Sequence, residues 1–370
     1  MKSLYAVLFS LILSASLLPQ GLELKPYGFV KGDAVYSSNG VNSFGNPNLS
    51  SPQIANDVDQ GALGFTAKHT RFGLKGIFGE DLKVGGLIEL DFFSANGFDS
   101  NVNPRIRLAY ASVAFDNFEF RFGQQWDIFS PLNAVTNNTN GNLWFSGNLG
   151  FRRGQIQMMY KIPVEGFKSM IQLALAEATR ETTSGLGDDN KAVIPMVQGR
   201  LSAKFLENKV IGVYFVYAKF SPTVPDTIDL DDLDYNSSGF GADFTLPFHQ
   251  YFEINGEVNL GTNLNNCNLF TIAGNGSKDN DTKNLGIWGN ITSKIDEHFQ
   301  LVIGGGIDKN QTDDLANGAT EQNFVIYGDL IFPITKEFSI SLEIGNITTS
   351  FKGLDDANAV IGILSGKVNF

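Results

Sequence analysis

Hydrophobic and polar residues alternate with a period of two along most of the chain after residue 22. A clear example is 338–344, where Phe338, Ile340, Leu342 and Ile344 alternate with Ser339, Ser341 and Glu343. Successive side chains of a β-strand point to opposite faces, so this period predicts strands with one apolar and one polar face. No segment after residue 22 has a convincing helical period.

About sixteen strands are predicted in this way. They cover 27–37, 63–77, 82–93, 105–115, 118–125, 153–162, 167–178, 192–205, 209–220, 237–247, 250–261, 284–293, 298–308, 323–332, 337–347 and 359–370. Long polar links, near 38–62, 94–104, 126–152, 179–191, 221–236, 262–283, 309–322 and 348–358, alternate with tight turns such as Asp116-Asn117. Long outer loops and short periplasmic turns are typical of a transmembrane antiparallel β-barrel, which is the all-β fold that we predict.

The environment of the strands follows from backbone hydrogen bonding. In lipid every backbone N–H and C=O must be paired, so a spanning sheet must close on itself. The apolar faces are then expected to contact lipid, and the polar faces to line a lumen. The alternative is a water-soluble all-β protein whose apolar faces point inward.

The first 22 residues form a separate unit. Lys2 provides a positive start, an apolar run extends from Leu4 to Leu18, and Pro19, Gln20 and Gly21 follow. This pattern predicts a secretory signal peptide over 1–22 and a barrel domain over 23–370. The alternative is an N-terminal membrane anchor, although the run is shorter than the roughly 20 residues of a spanning helix.

Composition and charge narrow the function. The 370 residues include 40 Gly and 31 Phe, carry a net charge of −12, and contain one cysteine, Cys267. An acidic chain is a poor general nucleic-acid binder, and one cysteine excludes a disulfide framework within the chain. Aspartates concentrate in the long links, for example Asp313-Asp314 and Asp355-Asp356. They solvate these loops or, alternatively, bridge through divalent cations to outer-membrane lipid such as lipopolysaccharide; no cofactor is expected.

Five segments in order carry a resemblance to a known family. They are 27–33 (YGFVKGD), 71–76 (RFGLKG), 88–93 (IELDFF), 105–110 (RIRLAY) and 122–129 (FGQQWDIF). Together they resemble the DcaP-like outer-membrane porins and, more distantly, the phosphate-selective O/P-type porins. The resemblance implies a sixteen-stranded, trimeric diffusion channel for small hydrophilic solutes. The alternation ending at Phe370 also resembles the C-terminal signal by which outer-membrane barrels are recognised for insertion.

The link 126–152 is the candidate constriction loop, because it follows the fifth predicted strand, where general porins fold a loop into the lumen. Its centre offers uncharged donors and acceptors, and the candidates are Asn137, Asn138, Asn140 and Asn142. Trp126, Trp144 and Phe145 are expected to attach the loop to the wall. The alternative is an ordinary surface loop.

Strand parity assigns four arginines to the lumen. Ile106, Leu108 and Tyr110 form the predicted apolar face of one strand, so Arg105 and Arg107 point inward; the same argument applies to Arg121 and Arg153. Such a basic wall predicts a preference for anions. The alternative is that these arginines pair with acids and leave no net field, and the available partners are Glu89, Asp91, Glu119 and Asp127.

Other functions have weaker support in the sequence. None of the nucleophile-elbow, P-loop or metalloprotease motifs is present, so no enzyme activity is predicted. A barrel that acts as an adhesin or surface receptor is the remaining alternative. The sequence therefore predicts a passive porin in a bacterial outer membrane.

Overall fold

The computed structural model describes residues 21–39, 61–93, 103–137, 143–164, 167–178, 190–192, 194–222 and 234–370. The predicted signal peptide lies almost entirely outside these ranges, and so do Asn138, Asn140 and Asn142 of the candidate constriction loop. Among the described residues, none forms a helix that is long and apolar enough to cross a membrane.

Strands account for most of the described chain. They are β1 Glu23–Ser37, β2 Ala62–Thr66, β3 Arg71–Phe78, β4 Lys83–Asp91, β5 Arg105–Phe115, β6 Phe118–Trp126, β7 Arg152–Val164, β8 Phe167–Ala176, β9 Asn190–Ala192, β10 Met196–Phe205, β11 Lys209–Pro222, β12 Tyr235–His249, β13 Phe252–Thr262, β14 Lys283–Lys294, β15 Gln300–Asn310, β16 Thr320–Pro333, β17 Phe338–Phe351 and β18 Ala357–Asn369. Two short 3-10 helices, Leu206–Asn208 and Leu264–Cys267, complete the described secondary structure.

All the strands belong to one antiparallel sheet that closes on itself. β2 and β3 both pair with β1, and β9 and β10 both pair with β11. Each of these two pairs therefore occupies one position, so the eighteen segments make sixteen positions around the wall. β1 also pairs with β18, from Phe29 opposite Asn369 to Ser37 opposite Ile361, which closes the ring. The predicted transmembrane β-barrel is confirmed.

The two faces of the wall have opposite polarity. Large apolar side chains such as Phe65 and Phe240, each 69% exposed, cover the outside. Charged and amide side chains such as Asp33, Glu257 and Asn323 are buried inside. This distribution is the reverse of a water-soluble barrel, so the alternative with inward apolar faces is wrong.

Several strands extend further than the sequence predicted. β17 and β18 remain paired out to Thr349 opposite Ala357, and β16 reaches Phe351 of β17 through Thr320. The links that follow β15 and β17 are consequently only 311–319 and 352–356, shorter than the predicted 309–322 and 348–358. Threonine and asparagine at these strand ends look like loop residues in sequence, but the sheet still pairs their backbones.

One predicted strand is interrupted. The segment 63–77 forms β2 and β3 with a break at 67–70, where Thr70 N donates to Ala67 O. Opposite this break, Lys31 N donates to the Thr70 hydroxyl, so the side chain replaces part of the ladder. The break places His69 between the rings of Phe29 and Phe93.

Candidate functional site

The four predicted arginines lie on the lumen side of the wall, and every one contacts a carboxylate. The ion pairs are Arg105–Asp91 at 2.7 Å, Arg107–Glu89 at 2.8 Å, Arg107–Asp91 at 2.9 Å, Arg121–Glu119 at 2.7 Å and Arg153–Asp127 at 2.9 Å. The sequence left open whether these arginines pair with acids. In the structure they use the four acids named for that alternative, so their charges are locally compensated.

A β-bulge, which the sequence did not predict, positions Arg107. Glu89 of β4 pairs with Leu108, but the next residue, Leu90, pairs with Ile106, so Arg107 is the extra residue on β5. The shift changes the facing of later residues, and the assignment of Leu108 and Tyr110 to the lipid face is wrong. Leu108 lines a lumen cavity, and the Tyr110 ring lies 5.2 Å from the Arg121 guanidinium.

The bulge also explains the contacts of Arg107. Its guanidinium lies between Glu89 and Asp91 on the neighbouring strand and within 5.9 Å of the Trp126 ring. The residue is 2% exposed, whereas Ile106 on the other face is 50% exposed. Arg107 does point inward, as parity predicts, even though two of the three residues of the apolar face used for that prediction, Leu108 and Tyr110, point inward as well.

The link between β6 and β7 crosses to strands on the other side of the barrel. We call its described part, 127–137 and 143–151, the crossing segment. At its start, the side-chain oxygen of Gln198 of β10 accepts hydrogen bonds from Ile128 N and Phe129 N, both at 2.9 Å. The next anchor is Glu257 of β13, whose carboxylate accepts hydrogen bonds from the Ser130 hydroxyl at 2.6 Å and from Leu132 N at 2.7 Å. Trp288 Nε1 also donates to Glu257, at 2.8 Å. Glu257 thus joins the segment to two wall strands.

A second anchor holds Thr136 and Asn137, further along the crossing segment. Glu343 Oε2 of β17 accepts from the Thr136 hydroxyl at 2.7 Å and from Asn137 N at 2.6 Å. Tyr327 of β16 donates its hydroxyl to Val135 O at 2.7 Å. Glu343 is more than 200 residues away in sequence from Thr136 and Asn137, yet these hydrogen bonds join β17 directly to the segment.

Asn137 is the one candidate amide of this segment within the described residues. Its carbonyl oxygen accepts from Lys31 Nζ at 2.8 Å, and Lys31 also pairs with Asp33 at 3.1 Å. Asn137 therefore contacts β1 as well as β17. Its backbone is used for anchoring, while its side chain lies 3.5 Å from Ile363 O.

The aromatic residues of the segment pack mainly against another link. The Trp144 ring stacks on Phe270 at 4.2 Å, and Phe145 meets the same ring at 5.3 Å. Trp126 ends β6 instead and lies 4.9 Å from the Arg152 guanidinium. The sequence predicts that these aromatics attach the loop to the wall; Trp144 and Phe145 instead pack against Phe270 of the link 263–282.

Sequence reasoning identified neither Glu257 nor Glu343 as an anchor of this segment. The signal was a carboxylate with uncharged neighbours on an inward strand face: Glu257 lies between Asn255 and Asn259, and Glu343 follows Ser339 and Ser341. A carboxylate accepts two backbone or hydroxyl donors well, so such a position can hold a loop inside a barrel. Which loop it holds is not visible in the local pattern.

A cavity of about 360 Å³ lies between the crossing segment and the wall formed by β1, β3, β4, β5, β16, β17 and β18. Its charged lining includes Arg71, Lys367 and Asp329 besides the paired Lys31, Glu89 and Arg107. This polar cavity beside the crossing segment is the candidate functional site.

Phe370 lies at the seam where the barrel closes. Its backbone N donates to Gly28 O and its carbonyl accepts from Gly28 N, both at 3.1 Å. The ring is exposed on the outside and lies 5.7 Å from the Phe72 ring. The terminal residue therefore contributes to closure and to the apolar outer surface.

The closed wall and the inward crossing segment define the class of outer-membrane β-barrel channel folds. The outer membrane channel DcaP of Acinetobacter baumannii is a solved structure with this fold; it has a TM-score of 0.78, is 21% identical, and the match covers 95% of this chain and 99% of that one. The fold implied by the sequence resemblance is thus confirmed.

Two further solved structures share the architecture at lower similarity. The anion-selective porin from Comamonas acidovorans has a TM-score of 0.58 at 13% identity, covering 94% of this chain and 100% of that one. OmpT, an outer membrane protein of Vibrio cholerae solved in a trimer form, has a TM-score of 0.59 at 12% identity, covering 95% and 100%. No protein-family model and no curated protein sequence matches the chain.

Proposed function

We propose that the protein is an outer-membrane porin through which small hydrophilic solutes diffuse passively. The observation that carries this proposal is a closed barrel whose polar lumen is crossed by a segment anchored to Glu257 and Glu343. A sixteen-stranded wall encloses an aqueous lumen, and a segment across it narrows the path and filters solutes by size and charge. No cofactor or energy input is needed for this mechanism.

The constriction in this proposal is the loop 126–152, including the amides at 137, 138, 140 and 142. Support comes from the crossing segment, whose hydrogen bonds to β13, β16 and β17 keep it inside the barrel. Amide side chains hydrogen-bond solutes without adding charge. Such a constriction favours polar solutes of either sign, and the surrounding wall then determines charge preference.

We propose a modest preference for anions. Four arginines line one part of the wall, but carboxylates paired with them neutralise their positive charge. They are Arg105, Arg107, Arg121 and Arg153. The excess positive charge comes from Arg71 and Lys367, which line the cavity without a hydrogen-bonded carboxylate among the described residues. Basic side chains on a pore wall attract anions, and burial weakens their screening by salt.

The remaining parts of the proposal concern export and assembly. Residues 1–22 direct secretion across the inner membrane, and Phe370 serves in recognition for insertion. The mature barrel assembles as a homotrimer and contacts outer-membrane lipid and lipopolysaccharide. We infer no enzyme activity, since His249 and His298 lie at a strand end and a turn, and His69 packs between aromatic rings.

Planar-bilayer recording of the purified protein tests the proposal. We expect stepwise conductance in groups of three, and in a potassium chloride gradient a reversal potential of the sign that anion preference produces. The double variant Arg71→Gln, Lys367→Gln should move this potential toward cations by more than the single variant Arg121→Gln. A silent bilayer with correctly folded protein would instead favour the adhesin or receptor function.

A further inference from the structure

Three charged side chains line the cavity beside the crossing segment without a hydrogen-bonded partner among the described residues. They are Arg71 of β3, Lys367 of β18 and Asp329 of β16. Other charges at the cavity are already used: Lys31 pairs with Asp33, and Arg107 pairs with Glu89. A partly buried charge that lacks a partner is unfavourable, so such groups are free to bind a solute.

Arg71 and Lys367, which lack a hydrogen-bonded carboxylate among the described residues, both lie close to one aromatic ring. The Arg71 guanidinium is 5.2 Å from the Phe29 ring, and Lys367 Nζ is 5.5 Å from it. The carboxylate nearest to Arg71 belongs to Glu89, at 3.6 Å, and Glu89 already accepts from Arg107 and from the Tyr27 hydroxyl. Arg71 Nε itself is buried and makes no hydrogen bond in the described structure.

The unpaired carboxylate lies on a different part of the cavity wall. Asp329 is in register with Glu343 on the adjacent strand, and it is 2% exposed with Oδ1 buried and unpartnered. Glu343 is committed to Thr136 and Asn137 of the crossing segment. Asp329 is therefore the carboxylate left to accept a donor from within the cavity.

We propose that this cavity binds small zwitterionic solutes that carry a carboxylate and an ammonium group, of which α-amino acids are the simplest class. This inference rests on the proposed porin function and names a solute class for it. The solute carboxylate pairs with Arg71 and Lys367, and the ammonium pairs with Asp329. A simple anion or cation satisfies only one side of the cavity. Phe29 and Trp126 supply apolar surface for the rest of the solute.

The proposal explains why the cavity combines separated charges of opposite sign. If the site were built for anions alone, an unpartnered carboxylate would oppose binding, and replacing it would strengthen affinity. In a site that binds zwitterions, the same carboxylate accepts a charge-assisted hydrogen bond from the ammonium group of the solute. Asp329 therefore distinguishes the two solute classes.

Single-channel recording in a planar bilayer tests the site with three probes of nearly the same shape. They are L-phenylalanine as the zwitterion, N-acetyl-L-phenylalanine as the anion, and L-phenylalaninamide as the cation. We expect L-phenylalanine to interrupt the current at the lowest concentration. In Asp329→Asn its apparent dissociation constant should rise about tenfold, equivalent to about 1.4 kcal/mol, while that of the anion stays the same or falls.

Two further variants complete the test. Arg71→Gln should weaken both the zwitterion and the anion, whereas the controls Glu253→Gln and Lys204→Gln remove inward-facing charges outside the cavity and should change neither. Heat-modifiable mobility on gels confirms that each variant is folded. If the anion binds as tightly as the zwitterion, or if Asp329→Asn leaves zwitterion binding unchanged, the inference is wrong while ionic conductance still supports the porin. Absence of conductance in the folded wild type would instead contradict the porin function itself.

Discussion

Single ion pairs in the lumen differ in how much they contribute to stability. Arg107 is almost fully buried between Glu89 and Asp91, whereas Arg121 and its partner Glu119 are each about 30% exposed or slightly less. Removing one member of a buried pair leaves an uncompensated charge, which typically costs about 3–5 kcal/mol. An exposed pair contributes about 0–1 kcal/mol. The two arginines, both predicted from parity, therefore have different roles.

The variant Arg107→Gln should unfold at a clearly lower temperature than wild type, because Glu89 and Asp91 lose a shared cation. Arg121→Gln is the matched control, with the same chemical change at a more exposed pair on a neighbouring strand. The measurement is the temperature at which the folded band on a semi-native gel disappears. Equal shifts for the two variants would contradict the difference in burial.

The single cysteine offers a second residue-scale test. Cys267 is fully buried, and burial raises the pKa of its thiol to about 11. The thiolate is the reactive form, so folded protein at pH 8 should react with maleimide at least tenfold more slowly than urea-unfolded protein. Raising the pH toward 10 increases the thiolate fraction and the rate. Rapid labelling of the folded barrel would show that the 263–282 link does not cover Cys267.

Among the elements, the crossing segment depends on two carboxylates. Glu257 accepts donors from Ser130, Leu132 and Trp288, and Glu343 accepts from Thr136 and Asn137. Each anchor joins a backbone N–H of the segment to the wall, so its loss leaves buried donors unsatisfied. The position of the segment is thus a property of β13 and β17 as much as of the segment itself.

Glu257→Ala and Glu343→Ala should each make the crossing segment cleavable by added protease and increase the current noise of open channels. The double variant should have the larger effect, because both carboxylate anchors of residues 130–137 are then lost. Glu253→Gln is the control. It removes a carboxylate that lies four residues before Glu257 on the same strand and makes no described contact with the segment. Protease resistance unchanged in the double variant would mean that other contacts hold the segment.

At the scale of the whole molecule, the wall has an even number of antiparallel strand positions. The first and last described residues therefore lie on the same side of the membrane. The turn 334–337 lies on that side, and the links 263–282 and 311–319 lie on the other. In the outer membrane the short turns face the periplasm. The topology therefore predicts which segments are accessible on intact cells.

An epitope tag inserted within 311–319 should bind antibody on intact cells, whereas a tag within 334–337 should bind only after the membrane is opened. Each insertion lies in a link between two strands that pair with each other, β15 with β16 or β16 with β17. Neither insertion therefore interrupts the backbone hydrogen bonds between these strands. Reversed accessibility would mean that the barrel is inserted in the opposite orientation.

Deleting Phe370 should reduce the yield of folded barrel by several fold. The deletion removes two backbone hydrogen bonds to Gly28 at the seam and an exposed aromatic ring beside Phe72. Replacement by tyrosine is the control, because it retains the backbone bonds and the ring. The folded fraction on semi-native gels measures the effect; a full yield from the deletion would remove Phe370 from the assembly mechanism.

The sequence by itself determined the fold class and the approximate strand number, and it predicted that Arg105, Arg107, Arg121 and Arg153 point inward and that the link 126–152 folds into the lumen. These features follow from the period of two and from backbone hydrogen bonding in lipid, both of which are local or general. They can be read from one strand at a time. The ends of β15 to β18 were predicted too short, because the polar residues there resemble loop residues until the strand pairing is known.

Only the tertiary structure decided which charges pair and which stay free. Arg107 obtained both Glu89 and Asp91 through a bulge, which shifts register by one residue and reverses the facing of Leu108 and Tyr110. Glu343 holds Asn137 because strands far apart in sequence meet around a closed wall. Within the described residues, Lys367 and Asp329 line the cavity without a hydrogen-bonded partner. Register and closure depend on all sixteen positions together, so no local pattern contains them.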